Sequence, residues 1–237
     1  MSCLAPVQGL PDLVFTANAA LIYERIAVLS RFRRFQRQGE ERHYEAWLAA
    51  HGFEIRRLPP GMSFEGAGDA LFCGETLFAG YRVRSDILAH QKIAETIGCR
   101  VIPLELIDPR FYHLDTCFCP LDMASTVYYP PAFDAYGRKA LRESVEDLIP
   151  VIPEEACEFA CNAVVLGRSV VTNTGCPELH CELAERGFTP YATPLGEFLK
   201  AGGSAKCLTL RLDGEDAAAW KHESEAGAFV RRRRSTP

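Results

Sequence analysis

Reactive and polar residues recur in this chain at an almost fixed interval. Asn18, Glu65, His113, Asn162 and Cys207 follow one another at separations of 47, 48, 49 and 45 residues, each at the opening of a similar pattern of short apolar runs. The pattern reads strand, tight turn, strand, helix, strand. Self-similarity at such a period means modules set around an axis or along a line, not two unrelated domains. Equivalent positions of modules in a ring converge near its axis. A thiol, an imidazole, a carboxylate and two amides are therefore expected to meet in one active-site constellation that no single stretch contains.

The second copy of the pattern is the plainest. Residues 70–73 and 76–79 are β-prone runs around the turn Gly74-Glu75, a hairpin signature. Ser85 or Asp86 is placed to cap a helix that stops near Gly98, and residues 100–104 read as a third strand. The third copy predicts strands around 114–119 and 126–129, a helix near 135–148 and a strand at Val151-Ile152. The fourth predicts strands at 163–166 and 169–172, a helix over 177–186 opened by Pro177 and stopped by Gly187, and a strand at 188–192. The first predicts strands at 13–15 and 21–29, a helix over 40–50 with Tyr44, Trp47 and Leu48 on one face, and a strand at 53–58. A fifth begins at Cys207 and reaches only the strand-like residues 208–212 before Asp213-Gly214. Residues 1–212 thus read as one α/β domain, and 213–237, with the basic run Arg231 to Arg234, as a polar, solvated C-terminal tail.

A chain of 237 residues that is 48% apolar can bury a sizeable core. No apolar stretch approaches 18 residues, and the N-terminus lacks a basic region followed by an apolar run. The expectation is a cytoplasmic protein with no membrane role. A net charge of −5 offers no general attraction to nucleic acid. Ten cysteines in such a chain are expected to be free thiols, mostly small core hydrophobes. The pairs Cys117/Cys119, Cys157/Cys161 and Cys176/Cys181 lack the spacing of structural zinc knuckles, so no metal is expected.

Three segments carry candidate chemistry. Cys207 follows Gly202-Gly203-Ser204-Ala205-Lys206, where glycines allow close backbone approach and Lys206 would favour a thiolate. Taken alone, a cysteine beside a strand is more often core; the repeat is what favours catalysis. His113 is the only histidine at a strand opening, and imidazole exchanges protons near neutrality. A structural histidine is the competing reading there, and the other five histidines are assigned no chemistry. Glu65 and Asp69, in Phe64-Glu65-Gly66-Ala67-Gly68-Asp69, suit a planar cation whose N–H groups pair with carboxylates, although an acidic surface loop looks the same locally. No G-x-x-x-x-G-K motif follows, which removes a phosphate cradle.

Together with Pro11-Asp12-Leu13-Val14-Phe15-Thr16-Ala17-Asn18-Ala19, Arg37-Gln38-Gly39-Glu40 and His113-Leu114-Asp115-Thr116, these segments resemble the amidinotransferase and dimethylarginine dimethylaminohydrolase superfamily of guanidino-group-modifying enzymes. The likeness spans residues 8–212 and is greatest to bacterial arginine-dihydrolase-like members. It implies a five-module α/β propeller, or pentein, of ββαβ units, in agreement with the repeat count. It further implies Cys207 as nucleophile, His113 as proton shuttle, and Glu65 and Asp69 as guanidinium holders. Asp12 and Asn18 would also contact substrate, and Arg37 and Arg84 would hold an α-carboxylate, with Arg82 a near neighbour of Arg84. Dimethylargininases carry acidic residues where this chain has Ala17-Asn18, which favours the dihydrolase-like branch. The implied reaction is hydrolysis of an arginine-like guanidino group through a covalent amidino-cysteine, with no metal or organic cofactor. The alternatives are transfer of the amidino group to an amine, or an inactive binding protein of the same fold, as a ribosome-associated translation factor is. In the family an N-terminal segment completes the fifth unit. The chain accordingly reads as N-terminally shortened, with a gap in its ring that favours low stability, aggregation or pairing as a homodimer.

Overall fold

The computed structural model describes residues 1–222; the basic run at 231–234 lies outside them. Among the described residues four three-stranded sheets are formed, all with the same local topology. In the first, β1 (Ala20–Tyr23) and β2 (Ile26–Leu29) make an antiparallel hairpin, and β3 (Glu54–Arg56) pairs parallel to β2. The second has β4 (Ala70–Cys73), β5 (Thr76–Tyr81) and β6 (Arg100–Glu105). The third has β7 (Phe118–Pro120), β8 (Ser125–Tyr128) and β9 (Asp147–Pro150). The fourth has β10 (Val164–Leu166), β11 (Ser169–Asn173) and β12 (Thr189–Thr193).

Hairpin strands are antiparallel because a two-residue turn reverses the chain; at Gly74 the backbone takes φ 60°, open to glycine without strain. A parallel third strand needs a long crossover, which the helices Glu41–Ala50, Ile87–Ile97, Ala135–Ser144 and Pro177–Glu185 provide. Each helix buries one face: in Ile87–Ile97 it is Ala89, His90, Ile93 and Ile97. The second, third and fourth modules share one continuous core that includes Phe78 and Phe118, whose rings lie 5.2 Å apart. Burying each such aromatic contributes about 2–3 kcal/mol, so the modules hold one another in place.

Several expectations need correction. Residues 13–15 are not a strand: Pro11–Val14 forms a 3-10 helix, since Pro11 fixes φ and donates no ladder hydrogen bond. Residues 114–116 likewise form a 3-10 helix. The third helix stops at Ser144, and the closing strand is Asp147–Pro150 instead of Val151-Ile152, because that register lays Ile149 beside Val127 in the core. No strand forms at 208–212; Leu208 N and Thr209 N instead close local turns onto Ser204 O and Lys206 O. Leu210 and Leu212 pack, half-buried, on the core of the first module. Nor is the chain from 213 to 222 a solvated tail: Ala217, Ala218, Trp220 and Lys221 are buried there. All ten cysteines are free, and six of them are buried.

Candidate active site

Just before its first strand each module makes a tight turn, and these turns meet at the centre. Thr16–Ala19, Gly66–Gly68 and Leu114–Thr116 are single 3-10 turns carrying or following Asn18, Glu65 and His113. Each turn is hydrogen-bonded to another. Asn18 Nδ2 donates to Glu65 O (3.1 Å), Leu114 N to Asp69 Oδ1 (3.0 Å), and Asn162 Nδ2 to Asp115 O (3.1 Å). Cys207 N donates to Asn162 Oδ1 (3.1 Å), and Ala17 N donates back to Cys207 O (3.1 Å). A Cβ on Gly68 would run into Asn18 Nδ2, so only glycine lets these turns approach so closely.

At this centre the structure gathers Glu65, Asp69, His113, Asp115, Asn162 and Cys207, all buried. His113 Nε2 lies 2.6 Å from Glu65 Oε2, to which Arg84 Nη1 also donates (3.3 Å). Glu65 Oε1 accepts from Arg33 N (3.2 Å). Burial pushes the Glu65 carboxyl up, but the hydrogen bond and charge of His113, with Arg84 and Arg37, hold it at about 2. Burial likewise disfavours the imidazolium of His113, yet the charge of Asp69 and the hydrogen bond to Glu65 prevail and raise its proton affinity. Asp69 Oδ2 accepts from Ser85 Oγ (2.5 Å). Burial, helped by the nearby Glu65 charge, outweighs His113 and these donors and lifts Asp69 to about 6.

Cys207 Sγ donates to Asp115 Oδ2 (3.5 Å) and accepts from Asn162 Nδ2 (3.1 Å). Burial and the adjacent Asp115 charge push the thiol well above its ordinary value, so it rests protonated. The Lys206 ammonium, expected to favour a thiolate, is paired with Glu215 instead. Asp115 Oδ1 is a buried acceptor with no donor among the described residues.

The remaining expected residues fall into two groups. Asn18 Oδ1 accepts from Arg37 Nη1 (2.8 Å), and the Arg37 guanidinium also engages Glu40 and Asp12 O and lies 4.4 Å from the Phe32 ring. Most donors of Arg37 are thereby used within the protein, which leaves it a poor receiver for a carboxylate. Asp12, half-buried, touches this set through its backbone oxygen. Arg84 points to the centre and stacks 4.8 Å over Tyr112, whereas Arg82 turns outward to Glu105. The sequence alone gave no role to Asp115, although it stands two residues after His113, and it left the helix cap open between Ser85 and Asp86. Asp86 occupies the cap position, and Ser85 joins Asp69 to the backbone N–H of Glu65. Asn162 was signalled only by its place in the period.

A family model described as eukaryotic N,N dimethylarginine dimethylhydrolase matches residues 5–212. The bifunctional arginine dihydrolase/ornithine cyclodeaminase ArgZ of Synechocystis sp. is 50% identical over 211 residues, 87% of this chain and 30% of that protein. An N(G),N(G)-dimethylarginine dimethylaminohydrolase of Mycobacterium tuberculosis is 43% identical over 209 residues, 88% of this chain and 68% of that one. Among solved structures, a substrate-bound mutant of the N-terminal domain of ArgZ, described as an arginine dihydrolase of the cyanobacterial ornithine-ammonia cycle, is similar at a TM-score of 0.87. It is 49% identical, and the match covers 90% of this chain and 79% of that one. The chain spans about 30% of the length of the bifunctional relatives it matches.

Proposed function

The chain belongs to the N,N-dimethylarginine dimethylhydrolase family, and from that premise we propose that it hydrolyses the guanidino group of arginine or a close arginine derivative. The observation that carries this is the meeting of a thiol, an imidazole and three carboxylates, drawn from separate modules, in one buried cluster. Arginine is favoured over its dimethylated form by the 50% identity to ArgZ. We read the fold as a five-module α/β propeller of ββαβ units, supported by the four alike sheets and the hydrogen bonds that link successive turns.

In this reading Glu65, Asp69 and Asp115 hold the guanidinium, whose N–H groups supply the donor that Asp115 Oδ1 lacks. The bound cation beside Cys207 favours the thiolate that burial otherwise suppresses. Sulfur attacks the guanidinium carbon and forms a tetrahedral adduct. His113 gives its proton to the departing nitrogen, and the C–N bond breaks to leave an amidino-cysteine. The neutral His113 then takes a proton from water, which attacks the same carbon. The C–S bond breaks with release of the ureido product, and the thiolate regains from solvent the proton that the thiol gave up before attack. Carboxylates already fixed around the site stabilise the cationic intermediate without reorganising. A cytoplasmic setting, in which ten free cysteines stay reduced, fits this chemistry.

The test is to incubate the protein with arginine, methylated arginines, agmatine and acetylated arginine and to identify the products by mass spectrometry. Release of ammonia or an alkylamine with a ureido product is expected. A product formed only when an amine acceptor is added would replace hydrolysis by amidino transfer.

A further inference from the structure

Residues 213–222 lie beyond the segment that the family model matches, yet they are built into the molecule. Gly74 N donates to Ala217 O (2.8 Å) and Ala219 N to Gly74 O (3.0 Å), so Ala218 bridges the β4–β5 turn. Gly167 N, in the β10–β11 turn, donates to Asp216 Oδ2 (2.7 Å). Trp220 packs 5.2 Å from Tyr23 of β1 and 6.3 Å from Phe72 of β4. The segment therefore ties together hairpins of the first, second and fourth modules.

One side chain of this segment reaches towards the nucleophile. Glu215 pairs with the ammonium of Lys206, the residue immediately before Cys207. The Lys206 side chain is only 7% exposed, and the pair borders a small cavity lined by Leu71, Phe118, Cys119, Cys161 and Val165. In such apolar surroundings a lone ammonium is costly, so the Lys206 side chain stays in place only while Glu215 faces it. The backbone of Lys206 is bound on the other side: its N–H donates to Asn162 O (3.2 Å), and Asn162 is also the residue whose amide grips Cys207.

We propose that Glu215 is a positioning residue for the nucleophile, which by holding Lys206 fixes the turn that carries Cys207 and keeps a positive charge near Asp115. It rests on the assignment of Cys207 as nucleophile. The groups facing Asp115 are His113, Lys206, Cys207, Tyr112, Cys117 and Cys119. Burial raises the proton affinity of Asp115, and the charges of His113 and then Lys206 oppose it. Removing the Glu215 carboxylate leaves the Lys206 ammonium without its partner in these surroundings and drives it out towards water. Its charge is then lost from beside Asp115, Asp115 takes up a proton at higher pH, and the carboxylate that would pair with an amidinium beside Cys207 is lost.

The experiment uses the full chain and follows two readouts across pH: alkylation of Cys207 by 2-chloroacetamidine, located by peptide mapping, and kcat/KM for arginine. In Glu215→Gln the acid limb of both profiles moves to higher pH, and the neutral-pH rate falls on the order of tenfold with little change in KM, as a slightly misplaced reacting group produces. Glu215→Asp restores most of the rate. Asp213→Asn, on the exposed side of the same segment, behaves as wild type. Lys206→Met removes the buried charge instead of stranding it and shifts the limb the same way, so the test survives poor folding of the glutamine variant. An acid limb that stays put in both Glu215→Gln and Lys206→Met overturns the proposal, even if Tm falls. If wild-type Cys207 is not labelled ahead of the exposed Cys3, Cys157 and Cys181, the nucleophile assignment falls and this proposal with it.

Discussion

His113 Nε2 lies 2.6 Å from Glu65 Oε2, with both side chains buried and the two residues 48 positions apart in the chain. A charge-assisted hydrogen bond of this length out of water fixes the imidazole ring and, with the charge of Asp69, favours its protonated form. Both properties suit a group that must hand a proton to a departing nitrogen.

Glu65→Gln is expected to lower kcat/KM by about 2–4 kcal/mol in transition-state terms, the scale of a broken buried charge contact. Stability should change with pH as well. Glu65 is held near 2, so its contribution is complete above the unfolded carboxyl value of about 4.3 and is lost as pH falls towards 2. His113 is raised, so its contribution is complete below about 6.5 and is lost as pH rises through the folded value. The Tm deficit of the variant should therefore be greatest between about pH 4.5 and 6.5. Thermal unfolding across pH checks this, and a deficit independent of pH would break the assignment.

Cys207 should discriminate between alkylating agents by charge. With its thiol buried and protonated, it should react slowly with neutral iodoacetamide, behind the exposed Cys3, Cys157 and Cys181. The amidinium of 2-chloroacetamidine should reverse that order by engaging the carboxylates. Cys207→Ser should fold and show no turnover, since a hydroxyl is a far weaker nucleophile. Mapping of labelled peptides decides the first point and a product assay the second.

Asp69, lifted to about 6, should share with Asp115 the loss of cationic-substrate binding on the acid side. As pH falls through that value the carboxylate is neutralised and its pairing with a guanidinium is lost. The expected outcome is a fall in kcat/KM below about pH 6 that is steeper than in Asp69→Asn, whose activity is low throughout. An identical acid limb in the two proteins would assign the titration elsewhere.

Arg84 and Arg82 should separate cleanly. Arg84 reaches Glu65 and stacks on Tyr112, while Arg82 is exposed and paired with Glu105. Arg84→Ala should cost about tenfold or more in kcat/KM, the loss of one charged contact at a partly buried site. Arg82→Ala should stay within about twofold, since exposed pairs contribute little. Steady-state kinetics on the two variants distinguish them.

The period of the reactive residues, read from the sequence alone, was a statement about space. Asn162 and Cys207, 45 residues apart, are hydrogen-bonded side by side, as are Glu65 and His113 at 48. Hairpins were legible because alternating apolar runs around glycine turns admit few other local structures, and β4–β5 formed as that pattern predicts. Strand ends in the third module were not, because parallel pairing is decided by which apolar side chains reach a core made by distant residues.

The sequence by itself determined the repeated strand–turn–strand–helix–strand pattern and the convergence of Asn18, Glu65, His113, Asn162 and Cys207, since each depends on local pattern and spacing. Only the tertiary structure decided protonation and partnership. Whether Cys207 is thiol or thiolate, whether Lys206 faces it or Glu215, whether Arg37 is open or enclosed, and that Asp115 stands against the sulfur all depend on burial and on charges within a few ångströms. Those charges come from chain segments tens of residues away. A linear pattern carries no record of that field, because electrostatic interactions fall off with distance in space and not with separation along the chain.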